Sequence, residues 1–122
     1  MINVTTKFVR TAPRKLRLVL DAIKGMPVTS AEAKLAHMPL QAARDTHATL
    51  HSAIAAAKDR GFDAESWVVL QAFCDEGPKL KRRVIASRGR ARPITKQLSH
   101  IHITVGAVNP NGRAAKPSTP KE

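Results

Sequence analysis

The chain has 122 residues, 43% of them hydrophobic and 3% aromatic, with no tyrosine, and a formal net charge of +12. That length fits one domain with a modest aliphatic core and excludes a fully disordered chain. Scarce aromatics argue against a stacking platform for single strands, which needs aromatic faces for the bases, and the lone Cys74 excludes an internal disulfide framework.

Charge is unevenly placed. Residues 1–76 hold ten Lys/Arg against eight Asp/Glu, whereas residues 77–122 hold eleven against one, the terminal Glu122. One-sided charge repels itself in water, and a polyanion relieves that repulsion while its counterions are released. Neither a signal-peptide stretch over Met1–Arg10 nor an apolar run of about 18 residues occurs, so a cytosolic location is expected.

Val4 to Arg10 alternates loosely and is β-branched, which predicts a short strand. Thr11-Ala12-Pro13 opens a helix running to about Lys24 and stopped by Gly25, with Leu16, Val19, Leu20 and Ile23 facing the core. Arg14, Lys15 and Arg17 lie near its start, where cations oppose the helix dipole. Phosphate contact is the simplest use for so unfavourable a placement. Thr29 and Glu32 form a T-x-x-E capping box that starts a second helix, ending near His37 because Met38 precedes Pro39. A third helix is expected from Pro39 to about Arg60, with Leu40, Ala43, Leu50, Ile54 and Ala57 buried and Gly61 stopping it.

Trp67–Cys74 reads as a near-continuous apolar strand. Leu98–Val108 reads as another, with Ile101, Ile103 and Val105 on one face and His100, His102 and Thr104 on the other. Between them, Pro78–Gln97 contains eight cations and no acid. Its flanks predict a hairpin turning near Arg88-Gly89, each arm roughly 40–45 Å long if extended. A two-stranded ribbon is marginal in water, so its stability must come mostly from a partner, or it must be mobile when free. The fold class is therefore α+β, three helices on a small antiparallel sheet with a long protruding β-hairpin. A globular domain is expected over 1–108, the hairpin at about 77–97, and a flexible basic tail over 109–122.

Thr11-Ala12-Pro13-Arg14-Lys15-Leu16-Arg17-Leu18-Val19, the alanine-rich His51–Ala57, Asp75-Glu76-Gly77-Pro78, Arg88-Gly89-Arg90-Ala91 and Ser99-His100-Ile101 occur in the order of a known family. Over about residues 4–107 the chain resembles the bacterial form of large-subunit ribosomal protein number twenty-two. The resemblance implies a structural constituent of the large subunit that binds ribosomal RNA and supports assembly in the cytoplasm. It also implies a hairpin threaded between RNA segments, its tip lining the nascent-peptide exit tunnel. Neighbouring large-subunit proteins and the nascent polypeptide are the further partners implied.

Carried over, Arg14, Lys15 and Arg17 would contact RNA from the body, and Lys81, Arg82, Arg88, Arg90 and Lys96 from the hairpin. With Lys7, Arg10, Lys79, Arg83 and Arg92 they make up the candidate RNA-binding set. By the same resemblance, Ile85, Ala86, Ser87, Arg88, Gly89 and Arg90 would form the tunnel-facing tip. The chain departs from the family's usual pattern at Ile85 and Ala86, where proline and arginine are common, and at Arg92, where an acid is usual. Ala56 replaces a common asparagine.

Other chemistries fit poorly. His47 with His51, or His100 with His102, supplies two corners of a metal site, but no cysteine or carboxylate set completes one. Cys74 reads as a buried structural thiol, and Asp75 and Glu76 point to opposite strand faces. No enzymatic activity, cofactor, metal or membrane partner is expected. A DNA-binding architectural protein would need a groove-reading element, usually with dimer symmetry. A nascent-chain chaperone would need a less cationic arm.

Overall fold

The computed structural model describes residues 1–63 and 66–108, so the basic tail expected over 109–122 lies outside the described residues. Strand β1 (Ile2–Val9) leads into α1 (Pro13–Ile23), α2 (Val28–His37) and α3 (Gln41–Asp59). Two long strands follow, β2 (Val68–Ile85) and β3 (Ala91–Gly106), in an antiparallel sheet of order β1-β3-β2. The fold is the α+β arrangement expected.

Helix α1 follows from its sequence. Pro13 occupies the first turn, Leu16, Val19, Leu20 and Ile23 are buried at helical spacing, and Gly25 ends the segment at φ +78°. The capping box expected at Thr29 does not form. Pro27 precedes the helix instead, which starts at Val28 without a side-chain cap. Tertiary pairing decides this boundary. The Gly25 N–H donates to the Val69 carbonyl, Val69 N–H to Met26 and Val28 N–H to Trp67, each at 2.9 Å. Val28 is thereby drawn into the core. Helix α3 departs from its expected stripe in a related way. Leu40 lies before the helix and is 50% exposed, while Thr46, Thr49 and Ala53 are buried beside Ala43, Leu50 and Ala57. The buried hydroxyls are satisfied locally, Thr46 Oγ1 donating to the Ala42 carbonyl and Thr49 Oγ1 to that of Asp45. Alanines and threonines leave room for close contact with α1, α2 and the sheet.

The core is one cluster in which Leu16, Leu20, Ile23, Leu35 and Leu50 meet Val69, Ile101, Ile103 and Val105. The helices cover only one sheet face; Thr5, Gln71 and Phe73 on the other stay exposed. A hydrogen-bond chain fixes the end of the core where β3 leaves it. Ser99 Oγ donates to the Thr11 carbonyl at 2.6 Å, and Thr11 Oγ1 donates to Asp45 Oδ2 at 2.6 Å. It joins β3 to the β1–α1 junction and to α3.

Both long strands continue past this point without a break. Their register shifts within the body between Val69 and Gln71, and again between Glu76 and Lys79, where Gly77 and Pro78 form a bulge. A Cβ on Gly77 would stand 2.8 Å from the Leu98 carbonyl oxygen. Gly77→Ala is therefore expected to lower stability by about 1–3 kcal/mol in urea unfolding, because the opposing atom is backbone and cannot move aside cheaply.

Candidate nucleic-acid interface

Beyond the bulge, seven cross-strand pairs run from Lys79↔Gln97 to Ile85↔Ala91. The ribbon projects about 30 Å from Lys79 to its tip at ~3.3 Å per residue, and its side chains are exposed apart from Ala86 near the turn. Ala86 N–H donates to the Arg90 carbonyl at 2.6 Å. Arg88 at φ +60° and Gly89 at φ +68° turn the chain where the sequence placed the turn. Ile85, at 90% exposure, is the most open large apolar side chain among the described residues.

Pairing sorts the cations. Lys79, Lys81 and Arg83 oppose Gln97, Thr95 and Pro93 on one face. On the other, Leu80 opposes Lys96, Arg82 opposes Ile94 and Val84 opposes Arg92. Positive charge thus emerges from both faces, with Arg88 and Arg90 at the tip. No pair sets one cation directly against another. A slip of one residue would oppose Lys79 to Lys96 and Arg83 to Arg92, and the opposite slip would oppose Lys81 to Lys96. Like charges directly opposite destabilise a ribbon, so the observed register separates charge best.

Body and ribbon cations form one surface. Arg14, Lys15 and Arg17 are exposed on α1, whose first turn carries no acid. Glu76 sits between Arg17 Nη2 at 3.9 Å and Lys79 Nζ at 3.4 Å. These partners are about half exposed, so the links contribute little energy; they mark where α1 runs beside the ribbon's base. Arg10 lines a cleft with Leu80, Arg82 and Lys96, and a second groove with Lys15, Leu18 and Leu40. Lys7, beside Phe8, is exposed as well. All thirteen cations singled out from the sequence are therefore exposed, on α1, along the ribbon, or on the edge joining them.

The groups weighed for other chemistry are otherwise engaged. Cys74 is buried, and burial pushes its thiol up against opposing effects from a Ser99 hydrogen bond and the Arg17 charge. A protonated thiol there is a poor nucleophile. Asp75 and Glu76 diverge, Asp75 meeting His102 Nε2 at 3.2 Å on the face opposite Glu76. His47 stands 3.8 Å from Glu32. Sequence reasoning missed one group of rings: Phe8 meets His100 edge-on at 5.1 Å and Phe73 stacks on His102 at 4.7 Å, on the uncovered sheet face. The alternation of His100 and His102 was a signal; Phe73 was hidden within an apolar run.

A family model described as Ribosomal protein L22p/L17e matches residues 4–106. Proteins named large ribosomal subunit protein uL22 are similar over most of their length. That of Magnetococcus marinus is 45% identical over 104 residues, covering 84% of this chain and 92% of its own. That of Chloroflexus aggregans is 43% identical over 105 residues, with the same shares covered. That of an Anaeromyxobacter species is 39% identical over 106 residues, 85% of this chain and 74% of its own.

Thr95→Lys places a cation opposite Lys81 and is expected to cost the ribbon about 0.5 kcal/mol, seen as faster amide exchange along residues 79–97. Thr95→Glu is expected to slow that exchange, and equal behaviour of the two variants would show that cross-strand charge does not govern the register.

Proposed function

Since the chain belongs to the ribosomal protein L22p/L17e family, we propose that it is a structural constituent of the large ribosomal subunit, held there by ribosomal RNA. One observation carries the reading: a ribbon free of acid, with cations on both faces, projects from a compact body. Charge on both faces suits a ribbon surrounded by phosphates better than one lying flat on a single duplex. Phosphate contacts position a protein and make its affinity dependent on salt. Arg14, Lys15 and Arg17 would grip RNA at the body, with Lys7 and Arg10 extending the grip to the ribbon's base. Lys79, Lys81, Arg82, Arg83, Arg92 and Lys96 would hold RNA along the ribbon, and Arg88 and Arg90 at its tip.

Lining of the nascent-peptide exit tunnel by the tip, residues 85–90, is part of the same proposal. The support is the reach of the ribbon and the exposure of Ile85. Neighbouring large-subunit proteins and the nascent polypeptide are then partners, and the place of work is the cytoplasmic ribosome. No catalysis, cofactor, metal or DNA enters this role. No described helix is long and apolar enough to cross a membrane.

The protein is expected to co-sediment with large subunits through a moderate-salt gradient. Free in solution, its RNA affinity should fall steeply with salt, each phosphate neutralised adding roughly 0.7–0.9 to the log–log slope. A nearly flat plot would overturn the reading. Replacing residues 80–95 by a short turn removes six cations and none of the buried core. That variant should keep the body's thermal transition and lose up to about five units of slope. A drop in body stability like that of a core deletion would contradict it.

A further inference from the structure

The uncovered sheet face carries a feature that phosphate binding does not use. Phe8 is a bulky residue at φ +59°, a conformation that L residues other than asparagine, aspartate and histidine seldom adopt and that costs energy. It is also 60% exposed, so burial does not repay the strain. What holds it is His100, whose Nδ1 accepts the Phe8 N–H at 3.1 Å while the two rings meet at 89°. On the far side of the central strand, Phe73 lies opposite His102, with ring planes 13° apart, and is 47% exposed. His102 is held at both nitrogens, Nδ1 by Thr5 Oγ1 at 3.0 Å and Nε2 by Asp75 at 3.2 Å.

Four rings on three adjacent strands are thus oriented before any ligand arrives, with Phe73 and Phe8 both substantially exposed. Strain at an exposed aromatic points to use of that side chain rather than to stability. Low aromatic content spoke against any stacking platform for single strands; the fold departs from that expectation by gathering two of the three phenylalanines and two imidazoles on one face.

Resting on the RNA-binding reading above, we infer that this face is a stacking shelf for unpaired nucleobases of the bound RNA, with Phe73 and Phe8 as its contact rings. Charge selects this occupant. The shelf belongs to a chain of net charge +12, and its strands continue directly into the cationic ribbon, so a polyanion is already held beside it. Asp75, the carboxylate on the shelf, is occupied by His102. Rings presented on neighbouring strands of a sheet are an established way to stack single-stranded bases, and their faces accept any base.

The full chain should be titrated with short single-stranded oligoadenylate carrying 2-aminopurine and, separately, with a blunt RNA duplex of similar length. Phe73→Ala and Phe8→Ala remove exposed rings, and circular dichroism checks that each variant is folded. Phe73→Leu keeps apolar bulk without an aromatic face. Binding by the parent should quench the 2-aminopurine. Phe73→Ala should weaken single-strand affinity about tenfold, the loss of one stacked base, and Phe73→Leu should restore little of it. Duplex affinity and the salt slope should stay within twofold of the parent. If the parent binds both RNAs with a steep salt slope and the ring variants match it, the shelf is not a base site and serves another partner, while the RNA-binding reading survives. If the parent binds neither RNA, that reading falls and this inference with it.

Discussion

The backbone ladder between β2 and β3 is the constraint on which the molecule depends. It begins inside the core, where Val69, Ala72 and Cys74 lie against Val105, Ile103 and Ile101. It then leaves the body as a ribbon with no apolar core of its own. A hairpin this thin is marginal alone, but its first pairs inherit a register already set by buried side chains. The bulge at Gly77-Pro78 and the Ser99–Thr11–Asp45 chain mark the handover from a strand held by packing to one held by pairing. Close approach of Gly77 to the Leu98 backbone leaves no room there for a side chain.

Past the handover, electrostatics takes over what packing did before. Eight cations crowd residues 79–96 with no acid to offset them; the register keeps the six on the arms opposite an aliphatic, small or neutral residue, and Arg88 and Arg90 sit in the turn. Repulsion is eased without being removed. The remainder awaits an external anion, which is how a segment marginal in the free protein can be rigid in a complex. Glu76, the last acid before the ribbon, lies between Arg17 and Lys79, where the α1 cations adjoin those of the arm. The small aliphatic core needs to stabilise only the body, because no residue between 79 and 97 contributes to it.

The sheet's two faces divide the remaining tasks. Three helices seal one face with aliphatic side chains, and the other keeps rings and hydroxyls in solvent. Phe8 tolerates positive φ there because His100 supplies both a hydrogen bond and a ring contact. The same central strand therefore buries Ile101 and Ile103 toward the helices while His100 and His102 orient aromatics on the open side.

Much of this was legible in the residues. Helical spacing of Leu16, Val19, Leu20 and Ile23 defined α1 and its exposed Arg14, Lys15 and Arg17. The acid-free stretch after Glu76 and the Arg88-Gly89 turn located the ribbon, and the family motifs implied its partner. Those signals are local, depending on periodicity, turn chemistry and charge along the chain. Three features were decided only in three dimensions. Thr29 yielded its capping role because pairing of Met26 and Val28 with β2 moved the helix start. Leu40 was left exposed and Thr46 and Thr49 buried because α3 faces its neighbours through small side chains. The ring cluster and the separation of cations across the ribbon exist only in the register between strands. Register is a relation between distant segments, so no window of sequence contains it.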